Sequence, residues 1–181
     1  MSNGLLLPPL SQVIQFEGKG NFAVKKYYKW PFSLFYRKKL KMILDMMDDR
    51  IYTSILDFGS GPAEVFKKTL KSISKIVICA DTYSDIPNKK FDLIVCASVL
   101  EFVDNIDKVL CKLNENLLPG QAIVGASPMD TILSRFYFRL IGDKQSRNPH
   151  EMILNSLYRN FFLVRTKKWF GLYFSFKAYK K

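Results

Sequence analysis

The sequence predicts an α/β fold with a mostly parallel open sheet and a C-terminal antiparallel hairpin. Three observations carry this. From residue 53 onward, short β-branched apolar runs alternate with helix-period stretches, the pattern of strands joined by right-handed helical crossovers. The run "FDLIVCAS" is almost continuously apolar, as a strand covered on both faces is. The tail ends in two strand-like runs on either side of Gly171, the pattern of a hairpin.

The elements follow in chain order. A length of 181 residues suits one domain. We expect residues 1–20 to form an N-terminal arm, broken by Gly4, Pro8, Pro9, Gly18 and Gly20, and residues 21–181 to form the domain. Its first part, 21–50, is a lid-like helical region: Leu34, Phe35, Leu40, Ile43, Met46 and Met47 share a face, and Pro31 suits the first turn. "TSILDF" is the first strand. "PAEVFKKTLKSI" follows as a helix, with Ala63, Phe66, Leu70 and Ile73 at helical spacing. "KIVICA" and "FDLIVCAS" are the second and third strands. "DNIDKVLCKLNENL" is a helix with Asp104 as N-cap, and "PGQAIVGASP" supplies a turn and a fourth strand. "TILSRFYFRLIG" is helical. "NPHEMILNSLYRNF" opens like a capping box, with Asn148 as N-cap, Pro149 at the first helical position and Glu151 at the third. In the closing hairpin, Leu172, Phe174, Phe176 and Ala178 alternate with Tyr173, Ser175, Lys177 and Tyr179.

Composition narrows the function classes. A chain that is 48% hydrophobic and 24% charged is globular rather than disordered. The formal charge of +12 favours anionic partners such as nucleic acid, acidic lipid or acidic protein, although lysine-rich codon usage accounts for such a charge equally well. Cys79, Cys96 and Cys111 lack the spacing of a metal site, and the first two lie in apolar runs, so we expect reduced thiols and no metal. No apolar run reaches the roughly 20 residues that span a bilayer. "MSNGLLLPPL" lacks the basic region of a signal peptide, so a cytoplasmic location is expected.

The stretch "ILDFGSGPAEVF" carries the chemistry. A strand ending in a glycine turn that opens a helix marks the ligand crevice of an open α/β sheet. A dinucleotide would need a third glycine where Glu64 stands, and Pro62 removes an N–H that could hold phosphate. A phosphate-binding Gly-Lys-Ser/Thr loop is absent. S-adenosylmethionine, which has no phosphate, fits better. Asp57 can face its ammonium side while Gly59, Ser60 and Gly61 line the methionine moiety. Asp81, at the end of the second strand, can accept both ribose hydroxyls.

At these residues the chain resembles the class I S-adenosylmethionine-dependent methyltransferases, of the small-molecule type. "ILDFGSGPA" is similar to their first motif with Ala63 for the third glycine, "IVICADTYS" to the second, and "FDLIVCASVLEFVDNIDKVLCKLNENLLPGQAIVGASP" to the long third block. The resemblance covers roughly residues 50–180 and implies a Rossmann-like sheet with a reversed last strand. Only "TYSDIPNKK" separates Asp81 from Phe91, too little for the family's next helix and strand, so that third strand should be missing or vestigial. The second strand then becomes a sheet edge, which we expect to be covered by the arm, by this loop or by a partner subunit, a dimer included.

Around the resemblance, Thr82 and Asp85, with Ile86, are placed on the adenine side, and Ala97 and Ser98 beside the methyl-bearing end. Methyl transfer needs alignment in a dry site, and a base only where the acceptor is protonated. Candidates are Glu101, which also reads as a helix-entry acid, and His150, which also reads as a first-turn helix residue. The family's His after Glu101 is Phe102 here. The segment "KKYYKWPFSLFYRKK" interleaves aromatics with Lys25, Lys26, Lys29, Arg37, Lys38 and Lys39, which suits a lid, a base-stacking surface, a foot on acidic lipid, or simply a helix with a solvated basic side. The expected function is methyl transfer to a small or lipid-like acceptor. A nucleic-acid-directed methyltransferase and a non-catalytic interaction protein of the same fold are the alternatives.

Overall fold

The structure, a computed structural model, describes residues 4–16, 24–142 and 147–181. The expected breakers Gly18 and Gly20, and the side chain of Lys25, lie outside what it describes. In chain order the elements are α1 (Leu10–Val13), α2 (Val24–Tyr28), α3 (Phe32–Leu44), β1 (Tyr52–Phe58), α4 (Lys67–Lys71), β2 (Ser74–Ala80), β3 (Phe91–Ala97), α5 (Ile106–Glu115), β4 (Leu117–Pro128), α6 (Ile132–Ile141), α7 (His150–Asn160), β5 (Phe162–Trp169) and β6 (Tyr173–Tyr179). They build a six-stranded sheet in the order β2-β1-β3-β4-β6-β5. β2, β1, β3 and β4 are parallel, β6 runs antiparallel to β4, and β5 antiparallel to β6.

The sheet is mostly parallel with a C-terminal hairpin, as expected, and no strand lies between β2 and β3 in sequence. Tyr83–Asp85 makes one 3-10 turn in that gap instead. Two cores sandwich the sheet. On one face Tyr36, Leu40 and Ile43 of α3 and Leu70 of α4 pack with Ile55, Val95 and Val124. On the other, Leu110 and Leu113 of α5 and Ile153 and Leu157 of α7 pack with Leu56, Ile94 and Ile123. This double cover is why β1 and β3 read as continuous apolar runs.

Several local expectations need correction. The helix expected over 62–73 shrinks to α4, because Glu64 adopts φ 42° and turn bonds (Glu64 N to Gly61 O, Lys67 N to Glu64 O) occupy the preceding residues. Phe66, Leu70 and Ile73 are nevertheless buried. The N-cap of α5 is Asn105, whose Oδ1 accepts from Lys108 N at 2.9 Å, not Asp104. Asn148 does not cap α7; its amide donates to Leu100 O and Val103 O, tying down the loop after β3. In β6 both side-chain sets are buried because both faces of the sheet are covered: Phe174, Phe176 and Ala178 belong to one core, and Tyr173, Ser175 and Lys177 lie buried on the other face, where α3 packs.

Within the described residues of the chain, neither the arm nor the loop after Asp81 adds a strand to the β2 edge. The arm sits on α4, where Thr69 Oγ1 accepts from Leu6 N and donates to Leu6 O, both at 2.9 Å. Among the described residues no strand pairs with the outer side of β2. Protection comes from the strand's own chemistry: exposed Lys75 discourages strand addition, and Ser74 Oγ donates to Ile76 O, occupying one acceptor.

Close packing fixes one glycine in the sheet. A Cβ on Gly125 of β4 would lie 2.4 Å from Cys96 O and 2.5 Å from the Phe176 ring, on the two neighbouring strands. Gly125→Ala should therefore destabilise the fold by about 1–3 kcal/mol, seen as a lower urea midpoint with an unchanged slope.

Candidate functional site

The chain leaves β1 for β2 on one side and returns to β3 on the other, so a switch point opens at the carboxyl ends of β1 and β3. The turn Gly59-Ser60-Gly61 follows β1, and Ser98 follows β3. The two glycines serve different purposes. Gly59 has φ 77°, and a Cβ there would lie 2.3 Å from Val99, so it lets the β1 and β3 turns meet. Gly61 has φ 69° and faces open space, with its N–H turned to the crevice, where it donates to Asp81 Oδ1 at 2.7 Å. Ser60 Oγ donates to the same oxygen at 3.1 Å. Asp81 and the glycine turn thus meet around a cavity of about 250 Å³ whose wall also includes Glu64, Cys79 and Asp85.

Asp57 lies in β1, paired with Cys79 of β2 and Val95 of β3. It is fully buried, and neither carboxylate oxygen has a hydrogen-bond partner among the described residues. Burial, then the charges of Asp81 and Glu64, push its carboxyl up from 3.8 to about 7. An uncompensated carboxylate inside a fold costs stability unless a cation or donor joins it. The residues therefore fit a cationic, hydroxyl-bearing ligand better than an anionic one.

On the adenine side the fit is thinner. Asp85 lies on the cavity wall, but its Oδ2 accepts from Thr82 N and Thr82 Oγ1 in a local capping box. Ile86 is buried in the core with Phe91 and Leu117 and is absent from the cavity wall.

At the β3 end, Ala97 and Ser98 are half-buried, and Ser98 takes φ 61°, a left-handed conformation unusual for serine. Lys39 Nζ donates to Ser98 Oγ at 2.9 Å. Glu101 is buried three residues on; its Oε2 accepts from Ser127 Oγ at 2.9 Å and its Oε1 has no partner among the described residues. Burial pushes its carboxyl up to about 7, against the pull of its own amide, Ser127, Lys39 and Ser98. It is not a helix-entry acid, since α5 starts only at Ile106.

The backbone carbonyl of Glu101 accepts from Arg147 N and Asn148 N. Arg147 and Asn148 in turn line a second cavity of about 960 Å³ between α6 and the start of α7, together with Met129, Phe138 and His150. His150 Nδ1 accepts from Asp130 N at 3.1 Å. His150 is the first residue of α7, in the first turn as the sequence suggested, and it lies on the wall of the second cavity and not in the crevice.

Sequence reasoning missed Lys39, assigned there to a basic surface. Its spacing held the signal: Tyr36, Lys39, Leu40 and Ile43 lie at i, i+3, i+4 and i+7, the buried face of α3. Ser127, on β4, and Cys79, on β2, carried no such signal.

Comparison with known proteins agrees with this geometry. Residues 50–125 match the family model described as "Methyltransferase domain". No curated protein matches the chain. Among solved structures, the N-methyltransferase NodS from Bradyrhizobium japonicum WM9, in complex with S-adenosyl-L-homocysteine, is similar at 16% identity with a TM-score of 0.62, covering 87% of this chain and 96% of that one. A methyltransferase from Thermotoga maritima, described as a possible histamine N-methyltransferase, is similar at 15% identity and a TM-score of 0.62, covering 96% and 100%. Human N-acetylserotonin methyltransferase, in complex with S-adenosylmethionine, is similar at 15% identity and a TM-score of 0.57, covering 96% and 63%.

Proposed function

For a chain with the fold of the class I S-adenosylmethionine-dependent methyltransferases, we propose S-adenosylmethionine-dependent methyl transfer to a small or lipid-like acceptor. The observation that carries it is the buried, unpartnered carboxylate of Asp57 beside the glycine turn and Asp81. Bound S-adenosylmethionine would supply a methyl group already activated by its sulfonium. Asp57 would take the amino group, and the Gly59–Gly61 turn would line the methionine moiety. Asp81 would exchange its bonds to Gly61 and Ser60 for the ribose hydroxyls, with Thr82 and Asp85 beside it. Ala97 and Ser98 would border the reacting end, where Lys39 holds Ser98 in place.

Glu101 is the best-placed group to take a proton, at Oε1, from an acceptor that arrives protonated. His150 has its Nδ1 occupied by the Asp130 amide, leaving Nε2 for proton work in the larger cavity. That cavity, joined to the Glu101 backbone, is large enough for a drug-sized acceptor. Three unpaired cysteines support a reducing, cytoplasmic setting. Among the described residues no helix is long and apolar enough to cross a membrane.

One observation favours a second reading, a non-catalytic member of the fold: the adenine side lacks a strand and helix, and Asp85 is engaged with Thr82. Calorimetric titration with S-adenosylhomocysteine separates the two. Saturable one-to-one binding, weakened about 10- to 100-fold by Asp81→Ala, supports the enzyme. No binding to the unaltered chain supports the interaction protein.

A further inference from the structure

The crevice end of the molecule carries an apolar face that runs past the proposed acceptor cavity and out into solvent. α6 turns Ile132, Leu133, Phe136 and Leu140 to solvent, spaced so that they form one stripe along the helix, and Ile132 is 88% exposed. Its buried side is also apolar, with Tyr137 and Ile141 in the core. A helix apolar on both sides has a second partner besides its own core.

Neighbouring elements extend the stripe. Thr131 Oγ1, at the N-cap of α6, donates to Gly171 O at 2.6 Å, which brings the β5–β6 turn and Phe170, 79% exposed, alongside. Lys26 Nζ donates to Leu140 O at 3.2 Å, and Phe32 and Phe35 pack on Tyr137, which places Trp30, also 79% exposed, at the same end.

The rim of this face is cationic. Lys26, Lys29, Arg135, Arg139, Lys167 and Lys168 are exposed around it. Asp130 offsets only Arg135, at 2.8 Å. A second copy of so basic a rim would be repelled. A nucleic acid would satisfy the charge and find aromatic rings in Trp30, Phe136 and Phe170, but stacking on them would leave aliphatic Ile132, Leu133 and Leu140 facing water. Aliphatic and aromatic side chains protruding between arginines and lysines match the interface of an anionic bilayer, where apolar groups enter the acyl boundary and cations meet the headgroups.

We propose that α6, with Trp30 and Phe170, docks the protein onto anionic lipid membrane surfaces. Ile132 and Phe136 of the stripe also line the 960 Å³ cavity between α6 and the start of α7, so docking would set that cavity against the lipid.

The test is co-sedimentation of the full chain with phosphatidylcholine vesicles with and without phosphatidylglycerol. Binding to the anionic vesicles is expected, weakened by high salt. Ile132→Ser combined with Phe170→Ser should raise the lipid concentration for half-binding roughly tenfold or more. Lys29→Glu with Lys168→Glu should weaken binding to anionic vesicles by a similar factor. Thermal melting of each variant near that of the unaltered chain shows that folding is retained. The proposal is overturned by absence of vesicle binding at low salt or by binding indifferent to both variant pairs. It is equally overturned if the apolar variants instead abolish self-association or nucleic-acid binding while leaving vesicle binding intact. None of these readouts depends on cofactor binding, so failure here leaves the methyl-transfer reading standing, and the reverse also holds.

Discussion

Asp57→Asn is expected to weaken S-adenosylhomocysteine binding by more than about a hundredfold at pH 8 while making the ligand-free protein more stable. The two effects have one cause. Without ligand, the carboxylate is buried and has no hydrogen-bond partner among the described residues, so its charge penalises the fold. With a ligand ammonium beside it, the same charge becomes one half of a buried ion pair, and deleting one partner of such a pair costs about 3–5 kcal/mol. A merely disruptive substitution would lower binding and stability together. The proton adds a second signature. With a carboxyl that titrates near 7, the unaltered protein must release a proton to meet a cation. Its affinity should therefore fall about tenfold from pH 8 to pH 6, and the asparagine variant should lose that dependence. Calorimetry in buffers of different ionisation heat reads the proton release directly.

The second large effect is on stability against pH. Asp57 and Glu101 both have folded pKa values of about 7, well above 3.8 and 4.5. Between those limits the folded chain binds more protons than the unfolded one, so its stability falls as pH rises and levels off above about 7. The loss amounts to up to about 4 kcal/mol from Asp57 and about 3 from Glu101. Glu64, Asp85, Asp107 and Asp130 act in the opposite sense: their carboxyls are held low by Lys67, Thr82, Ser156 and Arg135 respectively, so the stability they add is lost only as pH falls through the acid range. Maximum stability of the ligand-free chain should lie on the acid side of neutrality. Urea unfolding from pH 4 to 8 should show the decline, and Asp57→Asn with Glu101→Gln should flatten it. A profile that rises through this range in the unaltered chain would contradict the burial of the two carboxyls as the dominant influence on them.

The parts of the fold legible in the sequence are those where burial alone sets the pattern. β1 and β3 are covered on both faces, so their apolar runs stood out, and nine residues between Asp81 and Phe91 left no room for another strand and helix. Local turn chemistry was less legible. Glu64 enters a left-handed conformation that helical spacing cannot reveal, and Asn148 spends its amide on carbonyls in another loop. Of the site, Asp57, Gly59, Gly61 and Asp81 stood in the sequence as a turn and two strand ends; Gly61 and Asp81 meet on the cavity wall, while Asp57 is buried behind it, where it feels the charge of Asp81. The Lys39–Ser98 contact and the Glu101–Ser127 contact join residues far apart in the chain, so only folding brings them together. The arginine-lined cavity under α6 likewise forms between α6 and the start of α7, with no sequence motif of its own.

The most direct measurement is a crystal structure of the chain with S-adenosylhomocysteine. The predicted result has the ribose hydroxyls on Asp81, the amino group at Asp57 and the sulfur end by Ala97 and Ser98, facing the cavity under α6. A nucleoside bound elsewhere, or a crevice that stays closed with Asp81 still on Gly61 N–H at saturating ligand, would contradict the methyl-transfer reading.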